Sequence, residues 1–194
     1  MSRLERIVLL RHGETVGLSS VRYYGATDVA LSQVGAEQAV AAARAIGSMA
    51  FDLVVASSLQ RARRSASIVA PGQEVRLEEG FSEIDFGRWE GLTREEIEAQ
   101  DPALYAEWQE RGLEFDFPGG ERREDFRARV LAGLERLLDA PVASLLIVAH
   151  KGTVRTIAEE LSGITLGPDQ PELGGFYELT RSAENAWKLA GASR

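Results

Sequence analysis

Two unbroken apolar runs, Ile7-Val8-Leu9-Leu10 and Leu145-Leu146-Ile147-Val148-Ala149, each end abruptly in polar residues. A strand with one wet face alternates apolar and polar positions. An unbroken run therefore predicts a strand covered on both faces, as in a parallel sheet lined by helices. Phe51-Asp52-Leu53-Val54-Val55-Ala56 is a weaker third strand, and residues 177–180 with 186–189 predict a late edge hairpin.

Between these runs the apolar spacing lengthens to three and four residues, the period of a helix packed on one face. It is seen in Leu59, Ala62, Ala66 and Val69, in Phe126, Val130, Leu134, Leu137 and Leu138, and in Val154, Ile157, Ala158 and Leu161. An alanine-rich helix is expected over 33–46 with Ser32 as its N-cap. Thr93 and Glu96 have capping-box spacing, and Asp101-Pro102 suits a cap followed by a first helical residue. The glycine-rich Phe117-Pro118-Gly119-Gly120-Glu121 is a loop opening the long helix. Strands alternating with helices predict an α/β sandwich with its ligand site at the carboxyl ends of the strands.

Composition narrows the function. The 194 residues are 44% hydrophobic and 27% charged, with a net charge of -8, which fits one soluble acidic domain over residues 1–194. Repeats, linkers and low-complexity segments are absent from the sequence. Such a charge argues against nucleic acid as partner, and an anionic ligand then needs clustered cations rather than a basic surface. The absence of cysteine excludes disulfides, thiolate catalysis and cysteine-ligated zinc. The apolar run before Arg11 is too short for a membrane span or signal core, so no membrane partner is expected and the cytoplasm is the expected location. A monomer or homodimer is expected.

The chain has two histidines, and each follows a predicted buried strand and precedes a turn glycine: Arg11-His12-Gly13 and His150-Lys151-Gly152. Matched positions at two strand ends predict convergence in one crevice. In Ser57-Ser58-Leu59-Gln60-Arg61-Ala62-Arg63-Arg64, three arginines crowd the start of a helix, where the partial positive charge disfavours cations unless an anion is near. Arg61 is the expected anion ligand, with Arg63 and Arg64 solvated. Arg11 supplies a second planar fork for a phosphoryl group. In residues 81–91, acids alternate with large apolar groups, and an acid beside aromatic surface loses hydration and favours its protonated form. From the residues alone, Glu83, Asp85 and Glu90 are equal candidates for proton donor. Together these groups predict a small phosphorylated metabolite as partner, attacked by His12 while Arg11, Arg61 and His150 carry the charge and an acid protonates the leaving alkoxide. Guanidinium charge replaces a metal, and no cofactor is expected.

Arg11-His12-Gly13-Glu14-Thr15 resembles the signature of the histidine phosphatase superfamily, the phosphoglycerate mutase-like family. The likeness continues in order through Arg22-Tyr23-Tyr24-Gly25, Thr27-Asp28, Leu31-Ser32, Gly35, the arginine helix 57–66, the acid loop 83–92 and the turn 150–155. It implies a three-layer α/β/α sandwich around a mostly parallel sheet. It also implies His12 as phosphorylated nucleophile, Glu83 as proton donor, a phosphate pocket of Arg11, Arg61 and His150, and substrate contact by the main chain of Tyr24 and Gly25. Three positions depart from the family pattern. Leu18 stands where asparagine is common, with Ser19 or Ser20 as substitutes for its hydrogen bond. Ser58 replaces a proline, and Lys151 replaces a small residue, either adding charge to the pocket or facing solvent.

A phosphoglycerate mutase shares this pocket, but the arginine-rich insertion of mutases is absent, and Arg122-Arg123 reads as a solvated surface pair. A non-catalytic phosphate-binding module is a second alternative, against which stands the complete set of reacting groups. A zinc hydrolase is a third, against which stands the lack of a closely spaced histidine pair. The 117–121 loop resembles that of relatives acting on nucleotide-like or sugar phosphates, including α-ribazole phosphatases. Tyr105 and Trp108 are expected to pack between helices rather than stack on a ligand.

Overall fold

The computed structural model describes residues 4–47, 50–167 and 169–193. In chain order the elements are β1 (Arg6–Arg11), α1 (Gln33–Ile46), β2 (Leu53–Ala56), α2 (Gln60–Val69), β3 (Val75–Leu77), α3 (Arg94–Gln100), α4 (Pro102–Arg111), α5 (Arg123–Leu138), β4 (Ser144–Ala149), α6 (Lys151–Ser162), β5 (Phe176–Arg181) and β6 (Trp187–Ala192). Short 3-10 turns occupy Glu79–Phe81, Gly87–Trp89 and Gly112–Glu114. The six strands form one sheet in the order β3-β2-β4-β1-β5-β6. β3, β2, β4 and β1 run parallel, and β5 and β6 add an antiparallel hairpin at one edge.

The unbroken apolar runs are the two central strands, β1 and β4, paired Ile7 with Leu145 through Leu10 with Val148. Because side chains alternate across a sheet, Ile7, Leu9, Leu145 and Ile147 join one core with Phe126, Val130, Val154 and Ile157 of α5 and α6. Val8, Leu10, Leu146 and Val148 join the other, with Ala39, Ala42, Ala62 and Ala66 of α1 and α2. Small residues on α1 and α2 let those helices lie close to the sheet. Three layers, helix over sheet over helix, result as expected. At about 25 cal/mol per Å² of buried apolar surface, each of these large strand side chains contributes roughly 1.5–3 kcal/mol on burial.

Several local expectations are met. Ser32 accepts from Gly35 N at the start of α1, and Thr93 with Glu96 closes a full capping box on α3. The hairpin is β5 with β6. Tyr105 and Trp108 pack edge-on against each other, and Trp108 continues to Tyr23, Trp89 and Phe117.

Others need correction. Pro102 is the first residue of α4, but Asp101 makes no side-chain cap bond. Its carboxylate instead accepts from Trp89 Nε1 at 3.0 Å and Arg88 at 2.9 Å. The third strand begins at Leu53 rather than Phe51. Phe51 is bonded through its backbone to the Gln73 side chain, and the Asp52 carboxylate accepts from Ala143 N and Ser144 N, so this stretch is tied off outside the ladder. β3 was not foreseen, since three residues with Arg76 and Leu77 exposed give no periodic signal. Among the described residues no helix is long and apolar enough to cross a membrane.

Candidate active site

Parallel pairing brings Arg11 opposite Ala149, so the residues that follow, His12 and His150, leave the sheet side by side. His12 N donates to Ala149 O at 2.9 Å. The two imidazole centroids lie 5.0 Å apart at 63°, and both rings are buried. β2, the neighbour of β4, ends at the same edge and delivers Ser57. Ser57 Oγ lies 2.8 Å from His150 Nε2 and accepts from Leu59 N. With the Ser57 hydroxyl as donor to Nε2, the proton of His150 sits on Nδ1. His12 Nδ1 lies 2.6 Å from its neighbour's carbonyl, Gly13 O. A carbonyl only accepts, so Nδ1 carries the proton and Nε2 keeps a free lone pair.

Burial, reinforced by the charges of Arg61 and Arg11, holds the His12 pKa well below that of a free imidazole. His150 is displaced in the same direction by burial, Arg61, His12 and Arg11. Both rings are therefore neutral at pH 7.

Two guanidinium groups enclose these rings. Arg61, the second residue of α2, is fully buried; its Nη1 donates to Thr27 O at 2.7 Å, and its Nη2 to Gly25 O at 2.7 Å and Tyr24 O at 3.1 Å. Arg11 Nη1 donates to Pro171 O at 2.9 Å. Burial pushes the Arg11 pKa down to about 10, against the opposing pull of Glu83 and Glu14. Arg63 and Arg64 are exposed, as expected. At this site, among the described residues, three buried side-chain nitrogens have no hydrogen-bond partner: Arg11 Nε, Arg61 Nε and His150 Nδ1. Unsatisfied buried donors are costly, so such a group marks where an acceptor belongs.

The three loop acids separate by their partners. Glu83 accepts from Ile84 N at 3.1 Å and from Gly152 N, in the first turn of α6, at 3.0 Å. It faces the histidine edge, held by backbone amides rather than by the aromatic surface that the sequence pattern suggested. Asp85 accepts from Gly87 N and shapes a turn. Glu90 takes the amides of Gly25, Ala26, Thr27 and Phe86 and the Thr27 hydroxyl. It thereby clamps the loop whose carbonyls grip Arg61. Tyr24 and Gly25 serve that grip: the Gly25 amide is bonded to Glu90 and its carbonyl to Arg61, and a Cβ on Gly25 would sit 1.8 Å from Ile84 O.

Other expectations resolve as follows. Leu18 is exposed with φ of 63°. Ser19 Oγ bonds Thr15 Oγ1 at 2.7 Å, and Ser20 N bonds Glu14. Ser58 Oγ meets Ser82 Oγ at 3.3 Å. Lys151 is half-buried, and its Nζ lies 3.6 Å from the exposed Asp169 carboxylate. Arg122 is exposed and pairs with Glu124, but Arg123 is not a solvated partner to it. Arg123 is half-buried with its guanidinium 4.6 Å over the Phe117 ring, because its backbone is drawn in by Asp116.

Two contributors were missed from sequence. Ser57 follows a third strand at a place matching the histidines, a signal that was available. Arg129 ties the carbonyls of Gly80, Ser82 and Glu83 to α5, and nothing in its spacing marks it. Among the described residues no three His, Asp or Glu side chains group as a metal site would require.

Known proteins resemble this chain in sequence and in fold. The sequence matches the histidine phosphatase superfamily (branch 1) over residues 7–172. It is 33% identical over 206 aligned residues to glucosyl-3-phosphoglycerate phosphatase of Mycolicibacterium vanbaalenii, covering 99% of this chain and 87% of that protein. The fold superposes on a mycobacterial glucosyl-3-phosphoglycerate phosphatase with TM-score 0.79, 29% identity and coverage of 96% and 97%. It also superposes on the α-ribazole phosphatase of Shigella flexneri with TM-score 0.81, 26% identity and coverage of 95% and 94%. By sequence and fold, the chain belongs to the histidine phosphatase superfamily.

Proposed function

We propose that this chain, a phosphoric monoester hydrolase by its family, works through a phosphohistidine on His12. The carrying observation is the set of three partnerless buried donors, Arg11 Nε, Arg61 Nε and His150 Nδ1, around two neutral imidazoles. Three donors suit the three equatorial oxygens of a phosphoryl group in flight. His12 Nε2 attacks phosphorus, the P–N bond forms as the P–O bond breaks, and the Gly13 carbonyl stabilises the charge that develops on the ring. Glu83 gives its proton to the departing alkoxide. Its carboxylate then takes a proton from water, which attacks phosphorus and returns neutral His12.

The reading takes a small phosphorylated metabolite as substrate, uses no metal, and places the enzyme in the cytoplasm. Both named relatives act on phosphorylated small molecules, which supports the substrate size. The test is phosphate release across a phosphomonoester panel by the wild type and His12→Ala. Loss of at least about 10³-fold in His12→Ala is expected. Equal activity of the two proteins contradicts the mechanism, and bisphosphoglycerate formed in place of phosphate would favour the mutase alternative.

A further inference from the structure

The glycine-rich loop 117–121 docks on the acid loop. A Cβ on Gly120 would stand 2.3 Å from Asp85 O, and one on Gly87, whose φ is 55°, would stand 2.3 Å from Gly120 N. Backbone therefore meets backbone, and Glu121 N donates to Asp85 O at 3.0 Å. The Glu121 carboxylate then reaches Arg129 on α5, where Oε1 takes Nε at 2.6 Å and Oε2 takes Nη2 at 2.8 Å. A two-point pair of this kind fixes the plane of the guanidinium.

The donors left over all face one strip of chain. Arg129 Nη1 donates to Gly80 O at 2.8 Å and to Ser82 O at 2.7 Å, and Nη2 donates to Glu83 O at 3.0 Å. The last acceptor is the carbonyl of the acid itself. Thr153 Oγ1 reaches the same strip at 3.2 Å from Phe81 O and 3.4 Å from Ser82 O. Charge-assisted bonds are roughly twice as strong as neutral ones, and those of Arg129 are shorter, so the arginine sets where the strip lies. The far end of Glu83 is set against the same group. The Arg129 guanidinium lies 4.9 Å over the Phe126 ring, and that ring comes within 3.2 Å of where a Cβ on Gly152 would stand. Glu83 Oε2 accepts the Gly152 amide. Backbone and carboxylate of Glu83 are thus both referred to the stack of Arg129 on Phe126.

We propose that Arg129, held flat by Glu121, is a positioning residue for proton transfer from Glu83 to the leaving oxygen. It touches no reacting atom and acts through the main chain of the acid. Misplacing a reacting group by about 1 Å costs about 100-fold in rate, so a group that fixes residues 80–83 controls the acid without belonging to the phosphoryl pocket. This role rests on the phosphatase reading above, in which Glu83 is the donor.

The test follows single-turnover phosphohistidine formation from glycerol 3-phosphate and from p-nitrophenyl phosphate. It is run on wild type, Arg129→Met, Arg129→Lys, Glu121→Gln and Arg127→Gln. Nitrophenolate leaves with little need of a proton, so the alkyl ester alone reads the placement of the acid. Arg129→Met is expected to slow formation from the alkyl ester about 10- to 100-fold and from the nitrophenyl ester less than about threefold. Arg129→Lys, with three donors on one nitrogen in place of a planar fork, and Glu121→Gln give a smaller loss of the same selectivity. Arg127→Gln, which breaks an exposed ion pair with Glu160 on the same helix, leaves both rates unchanged. If Arg129→Met does not fold, Arg129→Lys and Glu121→Gln decide by the same ratio. Equal slowing of both esters, or no selective loss in any folded variant at the two positions, overturns the positioning role while phosphohistidine formation leaves the phosphatase reading standing. Wild type that forms no phosphohistidine overturns that reading, and this role with it.

Discussion

Gly152 donates its amide to Glu83 Oε2 at 3.0 Å, and a Cβ on Gly152 would stand 2.4 Å from Glu83 Oε1. Glu83, the proposed proton donor, is thus seated by the first turn of the helix that follows the second histidine. That one contact links the acid loop to the histidine edge.

Gly152→Ala keeps or improves helix propensity but pushes the carboxyl aside. Turnover of alkyl phosphates is expected to fall about 10- to 100-fold, the scale of general acid catalysis. Turnover of p-nitrophenyl phosphate, whose leaving group needs little protonation, is expected to fall much less. A leaving-group series on both proteins measures this, and an equal loss on all esters would contradict the placement of Glu83.

Glu90→Ala removes the clamp on residues 25–27 and so the fit of Arg61. Vanadate or phosphate is expected to bind about tenfold more weakly, with about 1–3 kcal/mol of folding stability lost from the unsatisfied amides. Titration and chemical denaturation check the two effects. Unchanged anion affinity would show that Arg61 is held without Glu90.

Ser57→Ala frees Nε2 of His150 from its hydroxyl partner. Nitrogen chemical shifts of the ring are expected to move from a single tautomer to a mixture, and phosphate affinity to drop by about 1 kcal/mol. Identical shifts in both proteins would contradict the orienting role.

Both histidines titrate in the folded protein well below their unfolded value near 6.5. Below that pH the unfolded chain binds protons that the folded chain refuses, so stability is full above about pH 6.5 and declines as pH falls through the folded values. The decline is up to about 1.4 kcal/mol per pH unit for each ring. Denaturation of wild type and the His12→Gln, His150→Gln double variant at pH 7 and 5.5 measures it. The wild type is expected to lose more, and parallel losses would contradict the burial of neutral rings.

Much of this was legible in the sequence because unbroken apolar runs fix central parallel strands, and central strands fix where their ends converge. His12 and His150 follow from that logic, and Arg61 follows from its place in the first turn of α2, where a cation calls for a nearby anion. Glu83 did not: three acids share one loop, and the resemblance alone singled it out, while the fold seats its carboxylate on the amides of Ile84 and Gly152. Arg123 was misread because sequence spacing says nothing of Phe117, 4.6 Å beneath it, or of the aspartate that draws its backbone inward. β3 was missed because a three-residue edge strand carries no period, and Asp101 stands at the N-cap of α4 without a side-chain cap bond because Trp89 and Arg88 take its carboxylate.

The most direct test of the central claim is to mix the wild type with p-nitrophenyl phosphate, quench without acid within milliseconds, and map the added phosphoryl group by mass spectrometry. The account predicts one phosphoryl group on the peptide containing His12, absent in His12→Ala. A phosphoryl group on His150, or turnover with none trapped on His12, would contradict it.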